Sequence, residues 1–207
     1  MWKKVLAVLL IIAGLSVIGF PAAHDYYLKY QQKKMINHWH DNLLQVSDGT
    51  DQEHEQENPS NSDAVNQPDL TKEMEALLII KKIDLEIPVL TGVTDRNLDL
   101  AAASILGTGK PGEIGNYCIA AHRSRTYGVL FNRLDELKKG DQIIVTTNEE
   151  TYTYNVTESM IVQPDHVEVL QNDGTKRQIT LITCDYSSKP YLRLIVKGEL
   201  RLLHSTQ

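Results

Sequence analysis

The stretch Ile179-Thr180-Leu181-Ile182-Thr183-Cys184 decides how this chain folds. Apolar and β-branched residues dominate it, and alternate side chains go to opposite faces, so it reads as a strand. The cysteine falls at its end, at the rim of a sheet, where a ligand can reach it. A free thiol has a pKa of about 8.5 and is only a few per cent thiolate at neutral pH, yet it is a strong nucleophile. A second strand-like run, Tyr117-Cys118-Ile119-Ala120-Ala121, leads into His122, and Arg193 opens a third, Leu192-Arg193-Leu194-Ile195-Val196. Singly, each residue has a commoner role, as an apolar filler, a structural imidazole or a surface charge. Together a nucleophile, a proton carrier and a permanent cation at three strand ends are the parts of an acyl-transfer site.

Around these runs lies a domain expected over residues 74–203, about 130 residues and long enough for one core. Strands are expected at 77–80 and 85–90, with Pro88 marking an edge or bulge. Others are expected at 117–121, 142–147, 150–158, 179–183 and 192–200. Leu98, Ala101, Ala102 and Ile105 fall at helical spacing, as do Leu130, Leu134 and Leu137, so short helices are expected at 97–105 and 129–137. About eight short strands with two or three small helices predict a mainly β fold, a closed or nearly closed barrel.

The N-terminus is of a different kind. After a short tail, residues 1–4, residues 5–20 carry no charge and almost no polar side chain. Continued to Ala23 the run is about 19 residues, or roughly 28 Å as a helix. It reads as a transmembrane signal-anchor over 5–23 more readily than as a cleaved signal, because Pro21 spoils the small-x-small cleavage pattern. Lys3 and Lys4 precede it, while Lys29, Lys33 and Lys34 follow. Proximity and the short tail favour the N-terminus inside, a single pass, and the bulk on the extracytoplasmic side of the cell membrane. Residues 24–73 read as a juxtamembrane segment and a flexible acidic stalk. A short helix is expected at 26–44, with Tyr26, Tyr27 and Tyr30 at the membrane boundary. Residues 45–67 have too little apolar surface to offset their ordering entropy. Residues 204–207 are a tail. The net charge of −6, from 27 acidic and 21 basic residues, argues against nucleic acid as a partner.

These motifs resemble the sortase family. Thr180-Leu181-Ile182-Thr183-Cys184 is similar to the sortase Thr-Leu-x-Thr-Cys motif, and Ala120-Ala121-His122-Arg123 to its Ala-Gly-His motif, with Ala121 where glycine is usual. Phe131-Asn132-Arg133-Leu134 and Leu137-Lys138-Lys139-Gly140-Asp141 resemble the segment that follows, and Arg193 matches the sortase arginine. The Leu-Ile-Thr-Cys form, with no evident inhibitory lid before the domain, is most like class A. The resemblance implies an eight-stranded sortase-type barrel. It implies catalytic residues His122, Cys184 and Arg193, and cleavage of a Leu-Pro-x-Thr-Gly (LPxTG) sorting signal between Thr and Gly. Secreted proteins bearing that signal at their C-terminus and a peptidoglycan precursor amine are the implied partners.

The chemistry has its own warrant. Cys184 forms a thioester, His122 moves protons, and Arg193 donates to the developing oxyanion, a contact whose loss typically costs ~10²–10³ in turnover. Thr183, Ala120, Val167, Val169 and Leu170 are candidate substrate contacts, the last three on a connection, 163–170, that would wall the signal-binding groove. His166 is a weaker candidate base than His122. Glu158, Asp165 and Glu168 could attract calcium, but a solvated acidic rim explains them equally, so no metal and no cofactor is assigned. Cys118 is read as a core filler before a redox partner of Cys184. Alternatives are an endopeptidase that resolves the thioester with water, a pilin-type transpeptidase using a lysine amine, and a non-catalytic binding barrel.

Overall fold

The computed structural model describes residues 2–47, 73–172 and 174–201. Eight strands form a closed barrel: β1 (Met74–Ile80), β2 (Leu85–Thr91), β3 (Ala102–Ser104), β4 (Gly115–Ala120), β5 (Gln142–Thr146), β6 (Thr151–Val162), β7 (Arg177–Asp185) and β8 (Leu192–Leu200). Their order around the barrel is β1-β2-β3-β4-β7-β8-β6-β5. The mainly β barrel expected from the sequence is present.

Strand alternation sorts the side chains. Tyr117 and Ile119 on β4, Ile179 and Leu181 on β7, and Leu194 and Val196 on β8 point inward and join one core. The intervening residues of these strands face outward and build the site. Pro88 pairs with Leu77 on β1, whereas β3 joins β2 only from Val89 onward. The missing N–H of Pro88 therefore falls on a stretch of β2 that has one strand partner.

Two expected helices are corrected. Helix α2 spans only Asp95–Leu100, started by Asn97 N donating to Thr94 Oγ1 at 3.1 Å. Ala102 and Ala103 then pair with Val89 and Leu90, and Ala103 and Ser104 with Ala120 and Ile119. Strand pairing overrides the helical spacing. Residues 129–137 form turns and one 3-10 turn, Leu134–Glu136. Leu130 bridges to Arg123 and has φ 51°, a left-handed conformation that breaks a helix. Leu130, Leu134 and Leu137 are nevertheless buried, so their apolar spacing records the core and not a helix.

Helix α1 runs continuously over Trp2–Ser47. Its second half is docked: Met35 and Trp39 join the barrel core, and Gln32 Nε2 donates to Leu100 O at 2.7 Å. The juxtamembrane stretch was expected to be a short helix leaving the membrane, and its packing against the barrel was not foreseen. Among the described residues, no helix is long and apolar enough to cross a membrane. Many side chains of the 5–20 run lie outside those described, as do residues 48–72, where the acidic stalk was placed.

Candidate active site

Three adjacent strands carry the expected catalytic residues, with β7 in the middle. Cys184 and Arg193 are direct cross-strand partners in the antiparallel β7–β8 pair. Side chains so placed share a face, with Cβ atoms about 5 Å apart. On the other flank, parallel β4 pairs Ala120 with Ile182, and Ala121 N donates to Ile182 O at 3.1 Å. His122 lies two residues past Ala120, as Cys184 lies two past Ile182, so both leave the sheet at the same rim. Phe131 N donates to His122 O at 3.1 Å and fixes the chain as it leaves. Thiol, imidazole and guanidinium are thus borne by three strand ends at one rim.

The surroundings suit these roles. His122 Nε2 lies 3.7 Å from Asp99 Oδ1, and both side chains are exposed. Asp99, on α2, places a carboxylate beside His122 that the sequence reading did not identify. Arg193 donates only to its own strand's start, Tyr191 O at 3.4 Å and Leu192 O at 3.2 Å. Among the described residues it has no carboxylate partner, which leaves the guanidinium available to an oxyanion.

Thr183 does not face the groove. It is 2% exposed, and its hydroxyl donates to Ala121 O at 2.8 Å. The direct substrate contact expected of it is replaced by a backbone brace beside His122. Among the described residues only Asp84 and Leu130 are non-glycine residues with positive φ, so Ala121 keeps a backbone that does not require the usual glycine.

A second brace joins the residues that follow the imidazole and the thiol. Arg123 Nη1 donates to Asp185 Oδ2 at 3.2 Å, and Arg123 Nη2 lies 2.9 Å from Asp135 Oδ2. Asp185 also accepts from Ser187 N at 2.9 Å and from the Ser187 hydroxyl. The Ser187 bonds, and then the Arg123 charge, hold the Asp185 carboxyl below its ordinary pKa. The loop after Cys184 is therefore tied to the residue after His122.

From Cys184 the outer face runs back along β7 through Ile182 to Thr180. The connection between β6 and β7 covers it, including a 3-10 turn over Val167–Leu170. Val167, Val169, Leu170 and His166 line a cleft of about 160 Å³ whose floor is Ile182, Ile195 and Arg193. Three of the five expected substrate contacts thus border one groove that reaches Arg193. Ala120 lies on the same outward face of β4 as Cys118.

Asn116 pins this wall, and the sequence reading missed it. Its Nδ2 donates to Val169 O at 3.0 Å and Gln171 O at 3.2 Å, while its Oδ1 accepts from Thr180 Oγ1 at 2.7 Å. An asparagine inside a strand of apolar neighbours was the available signal, because asparagine is depleted there. Cys118 lies under the same wall, fully buried, and burial pushes its thiol up to about 11. Cys118 pairs with Thr180, four residues from Cys184, or about 13 Å along the strand. That is beyond disulfide reach, and both cysteines are free. Of the acidic candidates for calcium, Glu158 lies 4.0 Å from Lys197 and Glu168 3.3 Å from His166. Among the described residues no group of three potential ligands could hold a metal ion.

A closed barrel carrying these three side chains at one rim, beside a walled groove, has the architecture of a thiol-dependent acyl-transfer enzyme. The sortase domain model matches residues 78–201. Sortase A of Bacillus anthracis is 35% identical over 206 residues, covering 95% of this chain and 93% of its own. Sortase A of Listeria monocytogenes is 29% identical over 211 residues, covering 97% and 92%. Among solved structures, sortase A from Corynebacterium diphtheriae superposes with a TM-score of 0.59 at 29% identity, over 65% of this chain and 63% of that one. The chain belongs to the sortase family of cysteine transpeptidases.

Proposed function

We propose that this sortase cuts an LPxTG-type sorting signal between Thr and Gly and transfers the acyl part to a cell-wall precursor amine. Cys184 Sγ attacks the threonine carbonyl carbon, and Arg193 donates to the oxygen as it becomes anionic. The C–N bond breaks, His122 gives its proton to the departing glycine amine, and a thioester remains. The incoming amine loses a proton to His122, attacks the thioester carbon and releases the thiol. No cofactor enters these steps. The observation that carries the reading is the direct pairing of Cys184 with Arg193 at the end of a walled groove.

The anchor belongs to the same reading. Val5, Leu6, Leu9, Leu10 and Ile11 are all exposed on α1, an arrangement that water disfavours and a lipid interior accepts. Residues 5–23 span the membrane once, residues 1–4 lie inside, and residues 24–73 link the anchor to an extracytoplasmic catalytic domain over 74–203. The relatives named sortase A favour the housekeeping class.

Product analysis tests the proposal. Incubation with a Leu-Pro-Ala-Thr-Gly peptide and a glycine-based amine gives the amide adduct. Cys184→Ala gives none, and Arg193→Lys lowers turnover by ~10²–10³, because lysine lacks the planar fork. Free acid as the only product would mark an endopeptidase, and a lysine side chain as the preferred amine would mark a pilin-type enzyme.

A further inference from the structure

The signal-binding groove does not end at Leu170. A second cleft, of about 650 Å³, opens beyond it between the β3–β4 connection and the far end of the wall. The two clefts share Ile105 and Leu170, so they adjoin one another at these two residues.

Register says what reaches it. The acyl side of the substrate, Leu-Pro-x-Thr, is four residues and spans about 13 Å when extended. The scissile carbonyl must lie at Cys184. Four residues back along the same face is Thr180, bonded to Asn116, whose amide holds Val169 O and Gln171 O. Thr180 is itself fully buried beneath the wall, so the register sets a length only: an extended four-residue signal starting at Cys184 reaches as far as Leu170, beside which the second cleft opens.

That cleft has two apolar side chains at its rim. Leu106 and Ile114 stand on its rim 73% and 59% exposed, apolar surface without cover in the free protein. The loop bearing Leu106 is held at fixed distance. Gly109 N donates to Asn116 O at 2.9 Å, and a Cβ on Gly109 would come within 2.8 Å of Asn116 N. The same asparagine thus fixes both the wall and the loop opposite it.

We propose that this cleft is an upstream subsite that takes the two residues preceding the sorting motif and selects apolar side chains there. The inference rests on the transpeptidase reading and adds a recognition element outside the motif. Its occupant is the secreted protein itself, because the cleft adjoins, at Ile105 and Leu170, the groove proposed to hold the signal.

Two peptides test it, acetyl-Val-Val-Leu-Pro-Ala-Thr-Gly and acetyl-Gly-Gly-Leu-Pro-Ala-Thr-Gly, each with the same amine. Wild-type protein turns over the first with about tenfold higher kcat/KM, through a lower KM, the size expected from burying two partly covered valines. In Leu106→Ser/Ile114→Ser the ratio of the two falls to near one. Because the ratio is internal to each protein, a general loss of activity or folding does not mimic it. Equal kcat/KM for the two peptides in wild type, or a preference that survives in the variant, overturns the subsite and leaves the transpeptidase reading standing. Turnover of neither peptide overturns both.

Discussion

Cys118 and Cys184 stand on the same outer face of neighbouring strands, four residues apart in register, and their chemistry differs entirely. Cys118 lies where the wall closes over the sheet, and burial raises its pKa to about 11. Cys184 lies where the wall has ended, between His122 on one flank and Arg193 on the other. Residue type and outer face are shared. The wall makes the difference by covering one thiol and leaving the other open to substrate. Asn116 is central to it, because the amide that anchors the wall sits two residues before Cys118.

The largest way to break this comparison is alkylation. Iodoacetamide at neutral pH is expected to modify one thiol per native chain, at Cys184, with complete loss of transpeptidation. Unfolded protein is expected to take two labels, and Cys118→Ala to keep activity within about twofold, as for a small, volume-tolerated change away from the reacting atoms. Mass spectrometry of the native, labelled chain decides it. Equal labelling of Cys118 would show that the wall does not protect it.

A smaller effect sharpens the Cys184 end. The Arg123–Asp185 pair joins the residue after the imidazole to the residue after the thiol. If it positions the pair and does not merely hold the loop, Asp185→Asn lowers kcat by about tenfold with little change in KM, since misplacement acts on the reacting atoms. Arg123→Lys, which keeps the charge, recovers more of kcat than Arg123→Ala does. Loss confined to KM would assign Asp185 to substrate binding instead. The depressed Asp185 pKa means its contribution is full above the ordinary carboxylate value near 3.9 and is lost as pH falls through the folded value.

The same contrast explains what the sequence could and could not tell. Alternation along residues 179–184 and 192–196 gives both the strands and the face on which Cys184 and Arg193 meet, because strand periodicity is local. Residues 97–105 and 129–137 misled because Leu98, Ala101, Leu130 and Leu134 are spaced for burial against a barrel that only tertiary structure supplies. Thr183 reads as a neighbour of the nucleophile, but alternation turns it inward, onto the carbonyl of Ala121. Asn116 reaches Val169 across 53 positions, and Arg123 reaches Asp185 across 62, so neither bond leaves a local pattern. Leu28, Met35 and Trp39 are spaced to form one helix face, yet the tyrosines and lysines around them suggest a membrane boundary and obscure the docking.

The smallest effect concerns the Cys118 end and needs no substrate. A thiol whose pKa rises from about 8.5 unfolded to about 11 folded binds its proton more tightly in the native state. Its contribution to stability is intact below about 8.5 and is lost as pH rises through the folded value. At 1.36 kcal/mol per unit, this is on the order of 2 kcal/mol by pH 10.5. Tyr117 acts in the same direction at higher pH, since burial, and then the Glu75 carboxylate, push its phenol well above the ordinary value. Cys118→Ala removes the thiol's share and keeps the tyrosine's. Urea midpoints at pH 8 and pH 10.5 are therefore expected to fall less in the variant than in the wild type. Equal falls would mean that the thiol under the wall ionises as freely as one in water, and the cover that separates the two cysteines would be lost as an explanation.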